Sequence, residues 1–416
     1  MSRLTVAEIS KGVAKLQAGL NRSAAEKGAT VCTNIDLAPN VYFTRRPSGI
    51  PELDIHLGGG LPAGGLSYLS GPDGSFKSSL LYHFIAENQR IWGERSCVAL
   101  GVSEAAPDHF WMRKCGVQIA IPEEMIAERV QMRKVNGLPP FTKEELKAFR
   151  TPTVGKVMLL RGATGEELLS AILQFFDWGG CDLLMLDSVS AVLPEADADK
   201  SLDEAQKRAA AAGLLTKFFQ HYLNGTTGYN GTNKTTVIFT SQVRSNSKKA
   251  EAPGHIAKYL PDYAPQGAWA AKHGKLIDIL MKPGEKEKEK VAAEPMNLGQ
   301  AVEQKKRLTQ TGKLVRYEIL KGKAGIHEGI TGEFPFSFNE NVDKQRLLIS
   351  TGLRLGIAEE KKGLVTYYDL KTRAPIPELE KRPMDELAAT LRGDFELELS
   401  LRLMTLASVG IECAYR

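Results

Sequence analysis

The chain has 416 residues, 43% of them hydrophobic and 25% charged, with a formal net charge of +5. This is the composition of a globular chain large enough for one sizeable core and one or two smaller modules. No apolar run approaches the ~18–20 residues of a membrane span, and the modest positive charge favours anionic partners without marking a nucleic-acid binder.

Cys32, Cys97, Cys115, Cys181 and Cys413 are scattered and lack CxxC spacing, so neither a disulfide framework nor a zinc site is expected. Met1-Ser2-Arg3-Leu4 opens without the long apolar stretch of a secretory signal, and a cytoplasmic location is expected.

Val6, Ile9, Val13, Leu16 and Leu20 recur at helical spacing and predict an amphipathic helix within residues 5–30. Arg45-Arg46-Pro47-Ser48-Gly49-Ile50 and the glycines at 58–60 and 64–65 introduce a first core strand, Leu66-Ser67-Tyr68-Leu69-Ser70. Directly after it stands Gly71-Pro72-Asp73-Gly74-Ser75-Phe76-Lys77-Ser78. This matches the phosphate-loop pattern G-x-x-x-x-G-K-[ST] at every defined position but one, where Phe76 replaces a glycine. Such a loop aims backbone N–H groups at phosphates and runs into a helix whose positive dipole end faces the same anion. Lys77 would reach the β- and γ-phosphates and the Ser78 hydroxyl would bind Mg²⁺; Ser79 follows in the first helical turn. The plainer alternative is an ordinary Gly/Ser-rich turn, and Phe76 counts in its favour, because a glycine there turns without a Cβ clash.

Three more strand-like runs end in polar groups. Ser96–Val102 leads to Ser103-Glu104, Leu183-Leu184-Met185-Leu186 ends in Asp187, and Thr235–Thr240 leads to Ser241-Gln242. In open α/β sheets the carboxyl ends of the strands line the ligand crevice, which would set Asp187 beside the phosphates to hold Mg²⁺. A strand ending at an N-cap aspartate is the structural alternative. Together the four runs predict an ATP-binding domain with a doubly wound, mostly parallel sheet.

Between them, residues 121–153 form a polar, partly helical stretch that predicts a surface insertion. Past Gln242 lies a long basic segment with Arg244, Lys248 and Lys249, suited to phosphate contacts, and with Tyr259 and Tyr263 as stacking faces; a solvated loop is the alternative. The charged stretch from Pro283 to Lys306 reads as a solvated hairpin tip or loop. Lys313–Leu320 predicts a last core strand before Lys321-Gly322-Lys323, and short helices with a small β-element follow after about Phe338.

In the order of these motifs, roughly from Tyr42 onward, the chain resembles the RecA family of recombinases. The resemblance is carried by Ser48-Gly49-Ile50-Pro51-Glu52-Leu53-Asp54 with the glycines after it, the 71–78 loop, Leu186-Asp187-Ser188-Val189-Ser190-Ala191-Val192-Leu193-Pro194 and Lys321-Gly322-Lys323-Ala324. The Phe-Lys-Ser ending of the loop is similar to some phage-type members.

The resemblance implies that Glu104 orients and deprotonates the attacking water, that Gln242 senses the γ-phosphate, and that Asp108 and Trp111 flank the adenine. It implies that Lys321 and Lys323 act across a protomer interface on a neighbour's nucleotide. It also makes Asp197 to Arg208, with Lys200, Lys207 and Arg208, a first DNA-binding loop, although that stretch lacks the family's glycine-bearing sequence. No acidic C-terminal tail is present, so autoinhibition by one is not expected.

The implied layout is a protomer-docking helical segment (1–40), an ATPase core with DNA loops (41–338) and a small C-terminal α/β domain (339–416). The implied activity is ATP- and Mg²⁺-dependent filament formation on single-stranded DNA, with pairing and strand exchange against homologous duplex DNA. The rival readings are a hexameric helicase-like motor, which would use an arginine finger rather than a lysine pair, and a nucleotide-binding mediator without turnover.

Overall fold

The computed structural model describes residues 44–104, 106–195, 208–228, 233–245, 263–265, 274–291, 307–339, 341–413 and 415, with residues 10, 11, 13–18 and 22 before them. Residues 10, 11 and 13–18 are helical, with Val13 and Leu16 exposed, and the rest of the expected N-terminal helix lies outside the described residues.

The core strands are β1 (Arg45–Arg46), β2 (Leu61–Pro62), β3 (Leu66–Gly71), β4 (Cys97–Val102), β5 (Lys156–Leu160), β6 (Leu183–Asp187), β7 (Thr236–Ser245), β8 (Tyr263–Pro265), β9 (Ile277–Val291), β10 (Arg307–Lys321) and β11 (Thr331–Ser337). The main sheet runs β11-β10-β9-β3-β7-β6-β4-β5, with β8 beside β7. From β9 to β5 neighbouring strands are parallel, and β10 and β11 add an antiparallel edge.

The helices of this part are α1 (Pro51–His56), α2 (Lys77–Trp92), α3 (His109–Lys114), α4 (Glu123–Val135), α5 (Lys143–Phe149), α6 (Gly165–Trp178) and α7 (Arg208–Gly228). Successive residues of a strand point to opposite faces, and here both faces are covered. Leu69, Val98, Leu183, Met185 and Ile238 join a core with α1 and α2, whereas Tyr68, Ala99, Leu184, Leu186 and Phe239 join one with α6 and α7. That double burial explains why the central strands read as unbroken apolar runs. The sheet is doubly wound, as its sequence predicts.

The chain closes with α8 (Lys344–Arg354), the antiparallel strands β12 (Ala358–Lys361), β13 (Leu364–Tyr367) and β14 (Arg382–Pro383), α9 (Met384–Gly393) and α10 (Phe395–Ser408). These elements have a core of their own, including Ile349, Val365, Tyr367, Leu387 and Leu401. The insertion is a pair of helices, α4 and α5, the second started by a Thr142–Glu145 capping box. Phe141 and Phe149 pack on Phe110 of α3, with ring centroids 6.3 and 5.1 Å away.

One expectation is refined. Pro283–Val291 continues β9 as an arm of a hairpin, paired with β10 as far as Val291 and Arg307, and residues 292–306, where its tip is expected, lie outside the described residues. The Lys/Glu alternation that marks it as solvated also has a strand's period of two.

Candidate functional site: a phosphate-loop cleft

β3, β4, β6 and β7 are parallel, so their carboxyl ends open on one side of the sheet, and a cleft of about 320 Å³ lies there. Residues 73–79, Glu104, Trp111, Asp187 and Gln242 line it together with Ser188, Lys313, Phe336 and Phe338. Four sequence segments expected to supply phosphate, metal, water and sensor groups therefore converge.

The loop is tightly made. A Cβ on Gly71 would lie 2.5 Å from the Met281 carbonyl oxygen, so that position has no room for a side chain. Phe76 takes a left-handed backbone (φ 80°, ψ 9°), the conformation a glycine would adopt. That geometry costs roughly 1–2 kcal/mol in an L-residue. Phe76 recovers it by burial, with its ring 5.7 Å from His83, 5.6 Å from Phe334 and 5.0 Å from Phe336. Burying such a side chain is worth about 1.5–3 kcal/mol. The replaced glycine thus leaves the loop's shape intact.

Lys77 starts α2, and its Nζ donates to the carbonyls of Gly71 (2.9 Å) and Pro72 (2.7 Å). Burial pulls its pKa below the usual lysine range, while Asp73, Asp187 and Glu104 act in the opposite sense. The buried Ser75 hydroxyl has no hydrogen-bond partner among the described residues, which suits a loop that receives an anion.

The carboxylates stand opposite. Thr240 Oγ1 donates to Asp187 Oδ1 (2.6 Å), Ser188 Oγ donates to Glu104 Oε1 (2.6 Å), and Gln242 Nε2 lies 3.5 Å from the same Glu104 oxygen. The Gln242 backbone N–H donates to Ser190 Oγ (2.8 Å), tying β7 to the turn after β6. The Asp187–Ser188 peptide is cis. Ser78 and Asp187 offer a hydroxyl and a carboxylate, the hard oxygen donors that Mg²⁺ takes alongside substrate phosphates and water. Among the described residues no group of three or more His, Cys, Asp or Glu forms a metal cage, and Mg²⁺ does not require one.

Trp111 reaches the cleft from α3. Its Nε1 donates to Ser79 Oγ (3.0 Å) and its ring meets Phe336 edge-on at 5.9 Å. Asp108 is placed differently from its expected partner: its carboxylate caps α3, accepting from the N–H groups of Phe110 and Trp111, and it does not line the cleft. Lys321 and Lys323 are also outside the cleft. β10 runs antiparallel to the core strands, so its middle carries Lys313 to the cleft while its last residue, Lys321, pairs with Asp278 toward the amino ends of the parallel strands.

Of the expected DNA contacts, Lys200, Lys207, Lys248, Lys249 and Tyr259 lie outside the described residues. Arg208 opens α7, Tyr263 opens β8, and Arg244 belongs to β7, opposite Ala264 of β8, rather than to a loop. Ser188, Lys313, Phe336 and Phe338 line the cleft without having been singled out by sequence. The signal for the aromatics was present as the alternation Phe334, Phe336, Phe338.

Fold and cleft define an α/β domain with a phosphate-loop-type turn at the carboxyl ends of its parallel strands. No protein-family model matches the chain. It is similar to Protein RecA of Helicobacter pylori, 24% identical over 334 residues that cover 78% of this chain and 74% of that protein. Protein RecA of Rickettsia prowazekii is 24% identical over 340 residues, covering 80% and 78%. With Protein RecA of Solidesulfovibrio magneticus the identity is 26% over 218 residues, and the match spans about half of each chain, 52% and 49%. Over most of its length the sequence is thus similar to RecA proteins at 24% identity. No helix among the described residues is long and apolar enough to cross a membrane.

Proposed function

We propose that this chain is a DNA-dependent ATPase that assembles on single-stranded DNA and promotes homologous pairing and strand exchange. The observation that carries the reading is the convergence of Lys77, Ser78, Glu104, Asp187 and Gln242 on one cleft at the carboxyl ends of parallel strands. The loop N–H groups and Lys77 bind the phosphate tail, and Ser78 and Asp187 hold Mg²⁺. When bound, that ion neutralises charge on the transferred phosphoryl group. Glu104, oriented by Ser188, takes a proton from the attacking water. Gln242, within reach of Glu104 and followed by the basic segment, couples the state of the phosphate to DNA contacts.

Two features support assembly. Lys321, at the end of β10, and Lys323 just after it lie outside this chain's own cleft, which suits them to serve a neighbour's nucleotide. The edge strand β5 leaves Met158 and Leu159 exposed beside an open row of backbone groups, a template for a further strand. ATP turnover measured with and without single-stranded DNA, together with electron microscopy of the same mixture, tests the reading. Stimulated turnover and open helical filaments are expected. Closed rings would favour a hexameric motor, and binding without turnover would favour a mediator.

A further inference from the structure

Lys313 lines the cleft although no position of the loop motif calls for it. It stands on β10 between Lys286 of β9 and Phe336 of β11, and its Nζ donates to the Gly74 carbonyl in the loop. Like charges opposite one another on paired strands repel. Among the described residues no carboxylate offsets this: burial and Lys286 both push the Lys313 pKa down, whereas Lys77 is supported by Asp73, Asp187 and Glu104. A half-buried cation held against a phosphate loop without a counter-ion among the described residues fits an anionic ligand.

Phe76 provides an independent observation. Its contacts with Phe334 and Phe336 clamp the loop against β11, and the strand register pairs Phe336 with Lys313. The Lys313 ammonium also lies 6.0 Å from the Phe336 ring centroid. The aromatic contact that makes up for the missing loop glycine is thus the one that sets a lysine over the loop.

We propose that Lys313 is a second phosphate-directed cation of this cleft, supplied from the same chain by β10 and held in register by the Phe76–Phe336 contact. The proposal rests on the nucleotide-binding reading above. Its ligand is the phosphate tail of a nucleoside di- or triphosphate. Moving the ammonium from the neutral Gly74 carbonyl to a phosphate oxygen gives its hydrogen bond, already charge-assisted, a partner of opposite charge.

The test is equilibrium binding of ATP, ADP and adenosine to the wild type and to Lys313→Gln, Lys313→Met and Lys313→Arg, with melting temperatures in parallel. Failure of the wild type to bind ATP would overturn the nucleotide reading itself. With wild-type binding in hand, Lys313→Gln and Lys313→Met should each lose roughly ten- to a hundredfold in affinity for ATP and ADP, the range of a charge-assisted hydrogen bond. Adenosine binding should stay unchanged, and Lys313→Arg should bind within a few-fold of the wild type. Glutamine keeps a donor for Gly74 but no charge, so wild-type ATP affinity in Lys313→Gln would reduce Lys313 to a loop tie and overturn the proposal. An equal loss for adenosine would do the same.

Discussion

The cleft and the junction under the C-terminal module are both built from charged side chains on the same helix, α2, yet they are opposites. Lys77 and Ser78 begin α2 at the cleft, and by helical rise Glu87 and Arg90 lie about 15 and about 20 Å from Lys77 along it. At the junction Glu87 is fully buried and accepts from Lys344 (2.7 Å), Arg402 (2.6 Å) and Arg90 (3.2 Å). Glu398 accepts from Arg90 (2.7 Å), Arg402 and Gln345 (3.0 Å). Burial alone would raise the Glu87 carboxyl, but Arg402, Lys344 and Arg90 outweigh it and hold the group well below the usual carboxylate range. A Cβ on Gly49 would lie 2.5 Å from the Glu87 carboxyl carbon, so even the backbone closes over this cluster. In the cleft no ion pair joins Lys77 or Lys313 to a carboxylate among the described residues, and both ammonium groups rest on backbone carbonyls. Saturated charge holds two modules together, whereas charge left without an opposite partner is available to a ligand.

The largest expected effect separates the two regions. Glu104→Gln should lower ATP turnover by about 10²–10⁴, the contribution of a general base, with nucleotide binding and melting temperature kept. Unchanged turnover would reduce Glu104 to a hydrogen-bond acceptor for Ser188.

Arg402→Met should do the reverse. Removing one partner from a buried ionic cluster costs about 3–5 kcal/mol, visible as a lower melting temperature and faster proteolysis between the core and the C-terminal module. The KM for ATP of the folded protein should stay within about twofold of wild type, since the binding groups of the cleft are untouched. A large KM change with normal melting would erase the distinction between the regions.

Phe76→Gly sharpens it from the side of the cleft. Restoring the usual glycine relieves roughly 1–2 kcal/mol of backbone strain but forfeits about 1.5–3 kcal/mol of burial and leaves a void among Phe334, Phe336 and His83. A net loss of about 1–2 kcal/mol in thermal stability is expected. A stabilised variant would show that the aromatic cluster contributes less than the strain.

How much of this was legible in the sequence follows from where each signal resides. Lys77, Glu104, Asp187 and Gln242 could be read because each sits at the end of an apolar run, and a parallel sheet turns strand ends into a common rim. The accommodation of Phe76 could not be read, since it depends on aromatics of β11 far along the chain. Lys313 was hidden for the same reason, because only strand register brings it to the loop. Glu87, Lys344 and Arg402 look like ordinary surface charges on helices until three distant segments bury them together. Asp108 was assigned to the adenine by resemblance, while its spacing to Phe110 and Trp111 also fits the N-cap it forms.

The smallest effect concerns Asp54, which borders the junction. It is buried, and its carboxylate accepts from Ser48 N (2.7 Å), Ser48 Oγ (2.8 Å) and Gly49 N (2.9 Å). Burial pushes its pKa up from 3.8 to about 7, and the hydrogen bonds from Ser48 and the nearby Arg402 only partly oppose this. The folded chain therefore keeps the Asp54 proton up to about pH 7, while the unfolded chain releases it near pH 3.8. Across that window folding takes up a proton, so the contribution of Asp54 to stability is greatest at the acid end. It falls as pH rises and is constant above about pH 7. The slope from one such group is at most about 1.4 kcal/mol per pH unit. Asp54→Asn, which cannot titrate, should melt with a flatter pH dependence between pH 5 and 7 than the wild type. Glu87 and Glu398 are held low by their arginines, titrate below this window and leave the comparison undisturbed. Parallel curves for the two proteins would mean that Asp54 is ionised throughout, its charge carried by Arg402 and the Ser48–Gly49 backbone as part of the saturated cluster.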